Sequence, residues 1–264
     1  MAIALLLALL LVTAGTLYLF AAHPWWFPAG ASGYAPAVDH EFHTAFWLLG
    51  GLFIAAQIVL LVLLLRSWRR NKSSYYPGNW RMELAWTSAV AALFFWFHFS
   101  GGQVWSGMRL HQPDSGVMKV EVTGAQFLWY FRYPGPDGVF GRVDAQKYSK
   151  PYEGNGLGID PNDPAGRDDV VSSSLVLPVG REVELDLHGQ DVIHSLFIPA
   201  MRFKQDAVPG MTIRTRLLPT KVGNYEIACA ELCGLGHYKM HAMMHVVSEQ
   251  DYNNWLNQRE AEKQ

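Results

Sequence analysis

Cys229-Ala230-Glu231-Leu232-Cys233-Gly234-Leu235-Gly236-His237-Tyr238-Lys239-Met240 gathers two thiols, an imidazole and a thioether into one short stretch. The chain has 264 residues and only 2 cysteines, and both are here. Thiolate, imidazole and thioether form a soft donor set that suits copper rather than the oxygen-seeking magnesium, calcium or manganese. Zinc prefers four Cys or His ligands and rarely takes Met. A disulfide is the other competitor. It needs Cα atoms within about 7 Å, which a strand leading out of Cys229 opposes, and it gives His237 and Met240 nothing to do. The stretch reads as a redox copper loop in which Gly234 and Gly236 let the chain turn tightly.

Outside this loop, composition divides the chain. Half of the residues are hydrophobic and 17% are charged, but unevenly so. Residues 2–22 and 44–65 are uncharged apolar runs; a third covers 84–99 and extends through Trp105. A bilayer core of about 30 Å takes about 20 apolar residues in a helix. The first two runs meet that length, and the third does so only with its polar end, Ser100-Gly101-Gly102-Gln103. Arg66, Arg69, Arg70, Lys72 and Arg81 lie between the second and third runs, which makes that loop cytoplasmic and puts everything after Trp105 outside. Trp25, Trp26, Trp47, Trp68, Tyr75 and Trp80 sit near run ends, as interfacial aromatics do. No Lys or Arg follows Met1, and the first run exceeds an ordinary signal-peptide core, so a retained helix is expected rather than a cleaved leader. The expected division is 1–22, an extra helix or signal peptide; 40–106, a transmembrane hairpin; and 107–264, an external domain. The net charge is −2 and nucleic-acid binding is not expected.

Beyond the apolar runs the period changes to two. Val117-Met118-Lys119-Val120-Glu121-Val122 alternates, as do residues 181–187, and short strands are expected at 192–198, 211–218, 225–228 and 243–247. Gly and Pro separate them, the pattern of an all-β sandwich or barrel. Ser248-Glu249-Gln250-Asp251 opens a terminal helix with a cap and an acidic first turn. Residues 134–169 interrupt the strands and carry Asp137, Asp144, Asp160, Asp163, Asp168 and Asp169. They read either as a solvated loop or as a docking surface for a basic cytochrome or neighbouring subunit; the spacing does not fit a calcium loop. His241 and His245 read as packing or surface residues. No Cys-x-x-Cys-His occurs, so covalent haem is not expected.

The pattern C-x-E-x-C-G-x-x-H-x-x-M resembles the signature of the dinuclear copper centre, CuA, of cytochrome c oxidase subunit II. Asp191-Val192-Ile193-His194-Ser195 resembles the D-V-x-H-S segment that supplies the family's other histidine. The resemblance runs from about residue 39 to the end. It implies N-terminal transmembrane α-helices followed by an all-β cupredoxin-like Greek-key domain; the family's usual two helices make 2–22 a departure. It implies ligands at His194, Cys229, Cys233, His237, Met240 and the carbonyl oxygen of Glu231, with both thiolates bridging two coppers. It further implies a magnesium ion reached by the Glu231 side chain at the boundary with the catalytic subunit. Glu83-Leu84-Ala85-Trp86-Thr87 resembles the family's E-x-x-W-T, which makes Glu83 a proton-path candidate, although an acid in a helix's first turn also suits the macrodipole. Residues 124–133 resemble G-x-Q-W-x-W-x-Y-x-Y, where the first Trp faces the incoming cytochrome. Here Phe127 takes that place and Trp129 takes the second, and a core strand of aromatics is the plainer reading for most of the segment. Asp206-Ala207-Val208-Pro209-Gly210-Met211 resembles a D-A-x-P-G turn with a structural role.

The implied function is electron entry. Such a subunit accepts electrons singly from a cytochrome c-type donor and passes them to haem in subunit I, where oxygen reduction drives proton pumping; the catalytic site is on that other chain. The expected partners are subunit I, the remaining oxidase subunits, membrane lipid and the donor. With Phe127 at the entry position, a permanently associated donor is preferred over a diffusing one. The expected location is a bacterial inner membrane or its equivalent, with the copper domain on the periplasmic side. The alternative is the CuA-bearing subunit of a nitric oxide reductase. The apolar runs and short length argue against nitrous oxide reductase, and the intact ligand set against a quinol oxidase subunit.

Overall fold

The computed structural model describes residues 2–23, 28–70, 75, 77–109, 117–148 and 155–262. Trp25, Trp26 and Lys72, named above, lie outside the described residues. The chain forms two compact units: Met1–Ala29 with Ala37–Gly107, and Gly30–Pro36 with Met108–Gln264.

The first unit is helical: α1 (Ala2–Ala22), α2 (Ala35–Arg70) and α3 (Trp80–Arg109). All three are long and apolar enough to cross a membrane. Their apolar side chains, among them Leu11, Leu52, Phe94 and Phe95, point outward. On a soluble protein so large an exposed apolar surface would drive association; here it suits lipid. The 36 residues of α2 span about 54 Å at ~1.5 Å per residue, well beyond a ~30 Å hydrocarbon core. Arg69 and Arg70 close its last turn, where cations suit the helix dipole. Phe20 of α1 stacks on Phe46 of α2 with ring centroids 4.5 Å apart, and Leu17 packs onto Gly50, where an added Cβ would meet Leu17 Cδ2 at 3.3 Å. The Ser100 hydroxyl of α3 donates to the Glu41 carboxylate of α2. The helix α3 runs unbroken through Ser100-Gly101-Gly102-Gln103, and Asn79 caps its start by accepting from the Arg81 amide at 3.0 Å.

The second unit is a β-sandwich. Its described strands are β1 (Met118–Ala125), β2 (Leu128–Tyr133), β3 (Val170–Ser172), β4 (Leu175–Pro178), β5 (Val183–Gly189), β6 (His194–Ile198), β7 (Phe203–Ala207), β8 (Ile213–Leu217), β9 (Gly223–Cys229) and β10 (His241–Val247). They form two five-stranded sheets, β3-β2-β1-β5-β8 and β4-β10-β9-β6-β7. The pairs β1–β5 and β4–β10 are parallel and the others antiparallel. Val120, Val122, Phe131, Leu185 and Leu187 of one sheet meet Leu175, Leu177, Leu196, Ile198, Ile227 and Met244 of the other in a fully buried core. Each such side chain contributes about 1.5–3 kcal/mol relative to exposure. After β10, α4 (Glu249–Ala261) starts at Ser248, whose Oγ accepts from the Asp251 amide at 3.1 Å. Trp255 of α4 meets Tyr133 edge-on at 5.0 Å.

Two additions to the sandwich matter later. The first is a strap, residues 30–36, ahead of α2. Ala31 N–H donates to Ala200 O at 2.8 Å, Thr220 N–H to Ala31 O at 2.8 Å and Gly33 N–H to Leu218 O at 2.9 Å. Ser32 Oγ donates to Met201 O at 2.7 Å. A Cβ on Gly33 would stand 2.7 Å from Leu218 Cδ2, so a larger residue there would push that side chain aside. The second is the lobe of residues 134–169, pinned to the outer face of the first sheet by buried Arg132. That guanidinium donates from Nε to Asp169 at 3.0 Å and from Nη1 to Glu121 at 2.9 Å, and Nη2 reaches Asp169 and Gly141 O. Within the lobe, Asp163 accepts from the Arg142 amide and guanidinium, and Asp160 from Lys147 Nζ at 2.8 Å. Among the described residues, Asp160, Asp163 and Asp169 thus have cation partners in or under the lobe, while Asp137 stays exposed.

Candidate metal centre

The sandwich brings its soft donors together at one end of the second sheet. Strand β9 ends on Cys229, β6 opens on His194, and Leu196 of β6 pairs with Cys229. Backbone bonds then clamp the loop at its root: Cys229 N–H donates to Met240 O at 3.0 Å and Ala230 N–H to Ser195 O at 2.9 Å. With both ends of the loop fixed, Cys233 and His237 fold back over Cys229. Cys229 Sγ lies 3.9 Å from Cys233 Sγ, 4.0 Å from His194 Nδ1 and 3.3 Å from Glu231 O. Cys233 Sγ lies 3.5 Å from His237 Nδ1 and 3.7 Å from Met240 Sδ. The cysteines are free thiols. Among the described residues, the metal-competent cluster consists of His194, Cys229 and Cys233, whose donor atoms all lie within 4.8 Å of one another.

Burial sets the electrostatics. His194, Cys229, Cys233 and Met240 are buried, while Glu231 is exposed. Burial pushes the Cys229 thiol up, but hydrogen bonds with His194 and the Ser195 backbone outweigh it and bring the thiol down to about 6. Burial and the neighbouring Cys229 charge push Cys233 up to about 11. Of the two thiols, Cys229 is the one that carries negative charge at neutral pH, and a metal taking both thiolates would displace the second proton.

The surroundings refine the sequence reading. Gly234, at φ +135°, occupies a conformation that favours glycine. Gly236 does not; its φ is −92°. It is small because the Phe127 ring lies on it: an added Cβ would stand 2.3 Å from Phe127 Cδ2. Trp129 is buried in the core and meets the His194 ring edge-on at 6.0 Å. So Phe127 and Trp129 both border the centre, one on the loop and one behind the histidine. Glu83 belongs to the helical unit, exposed in the first turn of α3. The Glu231 carboxylate has no further acid or histidine clustered with it among the described residues. His241 is exposed, and His245 Nδ1 lies 2.7 Å from Asn224 Oδ1. Two neighbours of the centre had no role assigned in the sequence: Asp191 and Gln126. The signal for Asp191 was its position three residues before His194.

The donor chemistry fits copper: two thiolates, two imidazoles and a thioether, in a buried pocket roofed by a short loop. Comparison with known proteins agrees. The family model described as cytochrome c oxidase subunit II, periplasmic domain, matches residues 118–249. The alternative cytochrome c oxidase subunit 2 of Bradyrhizobium diazoefficiens is 34% identical over 267 residues, covering 98% of this chain and 92% of that protein. Cytochrome c oxidase subunit 2 of Thermostichus vulcanus is 30% identical, covering 89% of this chain and 78% of that one. Among solved structures, the periplasmic domain of subunit II of the Bradyrhizobium japonicum cytochrome oxidase is 26% identical. It covers 58% of this chain and 99% of its own, with a TM-score of 0.42. The helices, the β-sandwich and the family match together define the class as a membrane-anchored respiratory subunit. The chain belongs to the cytochrome c oxidase subunit II family. It is an integral membrane protein whose β unit is the periplasmic domain. The nitric oxide reductase alternative finds no support in these matches.

Proposed function

We propose that this chain carries the electron-entry centre of its oxidase, a dinuclear copper site held by His194, Cys229, Cys233, His237, Met240 and the Glu231 carbonyl. The observation that carries this reading is the convergence of two free thiols on each other, on two imidazole nitrogens, on a thioether and on a carbonyl, all within 4.0 Å of one thiol or the other. Copper bound there supplies reversible one-electron chemistry. The protein's part is to hold the donors still. The backbone clamp at Cys229 and Ala230 fixes the loop root, and Phe127 on Gly236 fixes its crown, so the donors need little rearrangement when an electron arrives. Burial keeps water from the thiolates.

In this reading electrons arrive singly from a cytochrome c-type donor and leave for haem in subunit I, where oxygen becomes water and protons are pumped. Phe127 lies on the loop at the proposed entry side, with Trp129 behind His194. Two leucines project from the loop beside the exposed Glu231 and Lys239: Leu235 is 98% exposed and Leu232 79%. The two exposed leucines support a permanently associated donor over one steered by charge. Glu83 is proposed at the mouth of a proton path. Magnesium at the Glu231 carboxylate would need further ligands from another subunit. The proposed domain division is 1–22, 40–106 and 107–264.

Metal analysis of the purified chain tests the copper assignment. Two coppers per chain with a mixed-valence spectrum are expected; one zinc, or no copper after loading, overturns it. For the donor, turnover with soluble cytochrome c that is fast and falls steeply with ionic strength overturns the associated-donor reading.

A further inference from the structure

The copper reading uses every soft donor in the loop and leaves one carboxylate beside it without a task. Asp191 Oδ1 lies 2.8 Å from His194 Nε2 and accepts from the Val192 amide at 2.7 Å. Its Oδ2 accepts from the Gln126 amide at 2.8 Å. Gln126 in turn donates from its side-chain Nε2 to Cys233 O at 2.5 Å. One residue therefore joins the carboxylate behind His194 to the backbone of the far thiol.

The His194 ring is also confined on its faces. Gly124 passes so near that a Cβ there would stand 2.9 Å from the ring, and Trp129 meets it edge-on at 6.0 Å. With its Nε2–H given to a carboxylate, His194 is held in the tautomer that leaves Nδ1, the nitrogen beside Cys229, as the lone-pair donor. His237 presents Nδ1 to Cys233 in the same way, but among the described residues no carboxylate meets its other nitrogen. Two imidazoles in one centre thus have unequal backing.

We propose that Asp191 is a positioning residue that makes the two histidine arms of the centre unequal. It fixes the ring and tautomer of His194 and, by its charge, favours the electron-poor state on that side. This rests on the copper reading above. A neighbouring anion stabilises the more positive, oxidised state. The side chain is 34% exposed, so solvent screens the charge and the redox effect is moderate.

The test uses the full-length chain, copper-loaded, as wild type, Asp191→Asn, Asp191→Glu and Asp191→Ala. Asn keeps an oxygen acceptor and loses the charge; Glu keeps the charge on a longer arm. Copper affinity is expected to fall by about tenfold in the Asn and Glu variants and up to about a hundredfold in Ala, the range typical of residues that orient ligands. The equilibrium with a redox dye is expected to move several-fold toward the reduced form in Asn and to return toward wild type in Glu. In paramagnetic NMR the His194 ring signals are expected to shift in Asn while those of His237 stay. An Asn variant with full copper, an unchanged dye equilibrium and unchanged His194 signals overturns the proposal and reduces Asp191 to a loop cap. A wild-type chain that takes up no copper overturns the copper reading itself, and the proposal with it.

Discussion

The metal loop and the lobe of residues 134–169 are both dense in polar or ligating side chains in the sequence, yet the fold treats them in opposite ways. In the lobe the acids find nearby cations and amides: Asp163 has Arg142, Asp160 has Lys147, Asp144 has the Gln146 amide, and Asp169 has Arg132. In the loop, Cys229, Cys233 and Met240 are buried with only one another, a carbonyl and two imidazoles for company. Hard charges can be satisfied by the protein itself. Buried soft donors at such spacing find no comparable partner in the twenty side chains, so they point to a metal.

The sharpest way to break this contrast is at the thiols. Cys229→Ser or Cys233→Ser should abolish the mixed-valence spectrum, because a hydroxyl cannot replace a bridging thiolate; circular dichroism should show the fold retained. The next largest effect should come from the lobe. Arg132→Met leaves Asp169 and Glu121 without their buried cation and should cost about 3–5 kcal/mol in unfolding free energy. If the two regions are independent, copper content at low temperature should be unchanged; copper loss would show that the lobe supports the loop.

The thiols themselves sharpen the comparison through pH. In the metal-free, reduced chain, thiolate absorbance should appear in two steps, near the values of about 6 for Cys229 and about 11 for Cys233. Cys229 is lowered from the ordinary 9.0, so its stabilising contribution is present above pH 9 and lost as pH falls through about 6. Cys233 is raised, so its contribution is present below pH 9 and lost as pH rises through about 11. The two together favour the fold most near pH 9, which denaturant midpoints across pH would register. The smallest effect should follow Asp160→Asn with Asp163→Asn. Turnover with soluble cytochrome c should barely change, since these charges are already spent on Arg142 and Lys147. A large loss would reinstate the lobe as a docking surface.

What could be read from sequence was whatever is encoded locally. The apolar runs gave the helices, although α2 begins nine residues before its run because polar residues also continue a helix into the interface. Alternation gave β1 and β5. It missed β4, where all four residues are buried and no alternation exists, and β7, where Lys204, Gln205 and Asp206 conceal a paired strand. The loop's four soft side chains stood out because they fall within twelve residues, whereas the Glu231 carbonyl came from resemblance. His194 came from resemblance, since only strand pairing brings it to Cys229. The neutralisation of the lobe was illegible because Arg132 and Asp169 are 37 residues apart. So was the task of Asp191, whose partner Gln126 is 65 residues away.

The strap has a consequence for biogenesis. Ser32 bonds to Met201 and Lys221 Nζ to Gly30 O across separations of 169 and 191 residues. Residues 30–36 leave the ribosome well before the residues that receive them, which follow 169 to 191 positions later. Between the two events α2 must enter the bilayer and α3 must return, or strap and sandwich finish on opposite sides of it. Closing that long loop costs little more entropy than closing a shorter one, but it is open only to a chain threaded in the right direction. A misthreaded chain would leave the carbonyls of Ala200, Met201 and Leu218 without their strap donors. The strap's bonds are therefore complete only in a chain whose α2–α3 hairpin has its two ends on the same side of the bilayer.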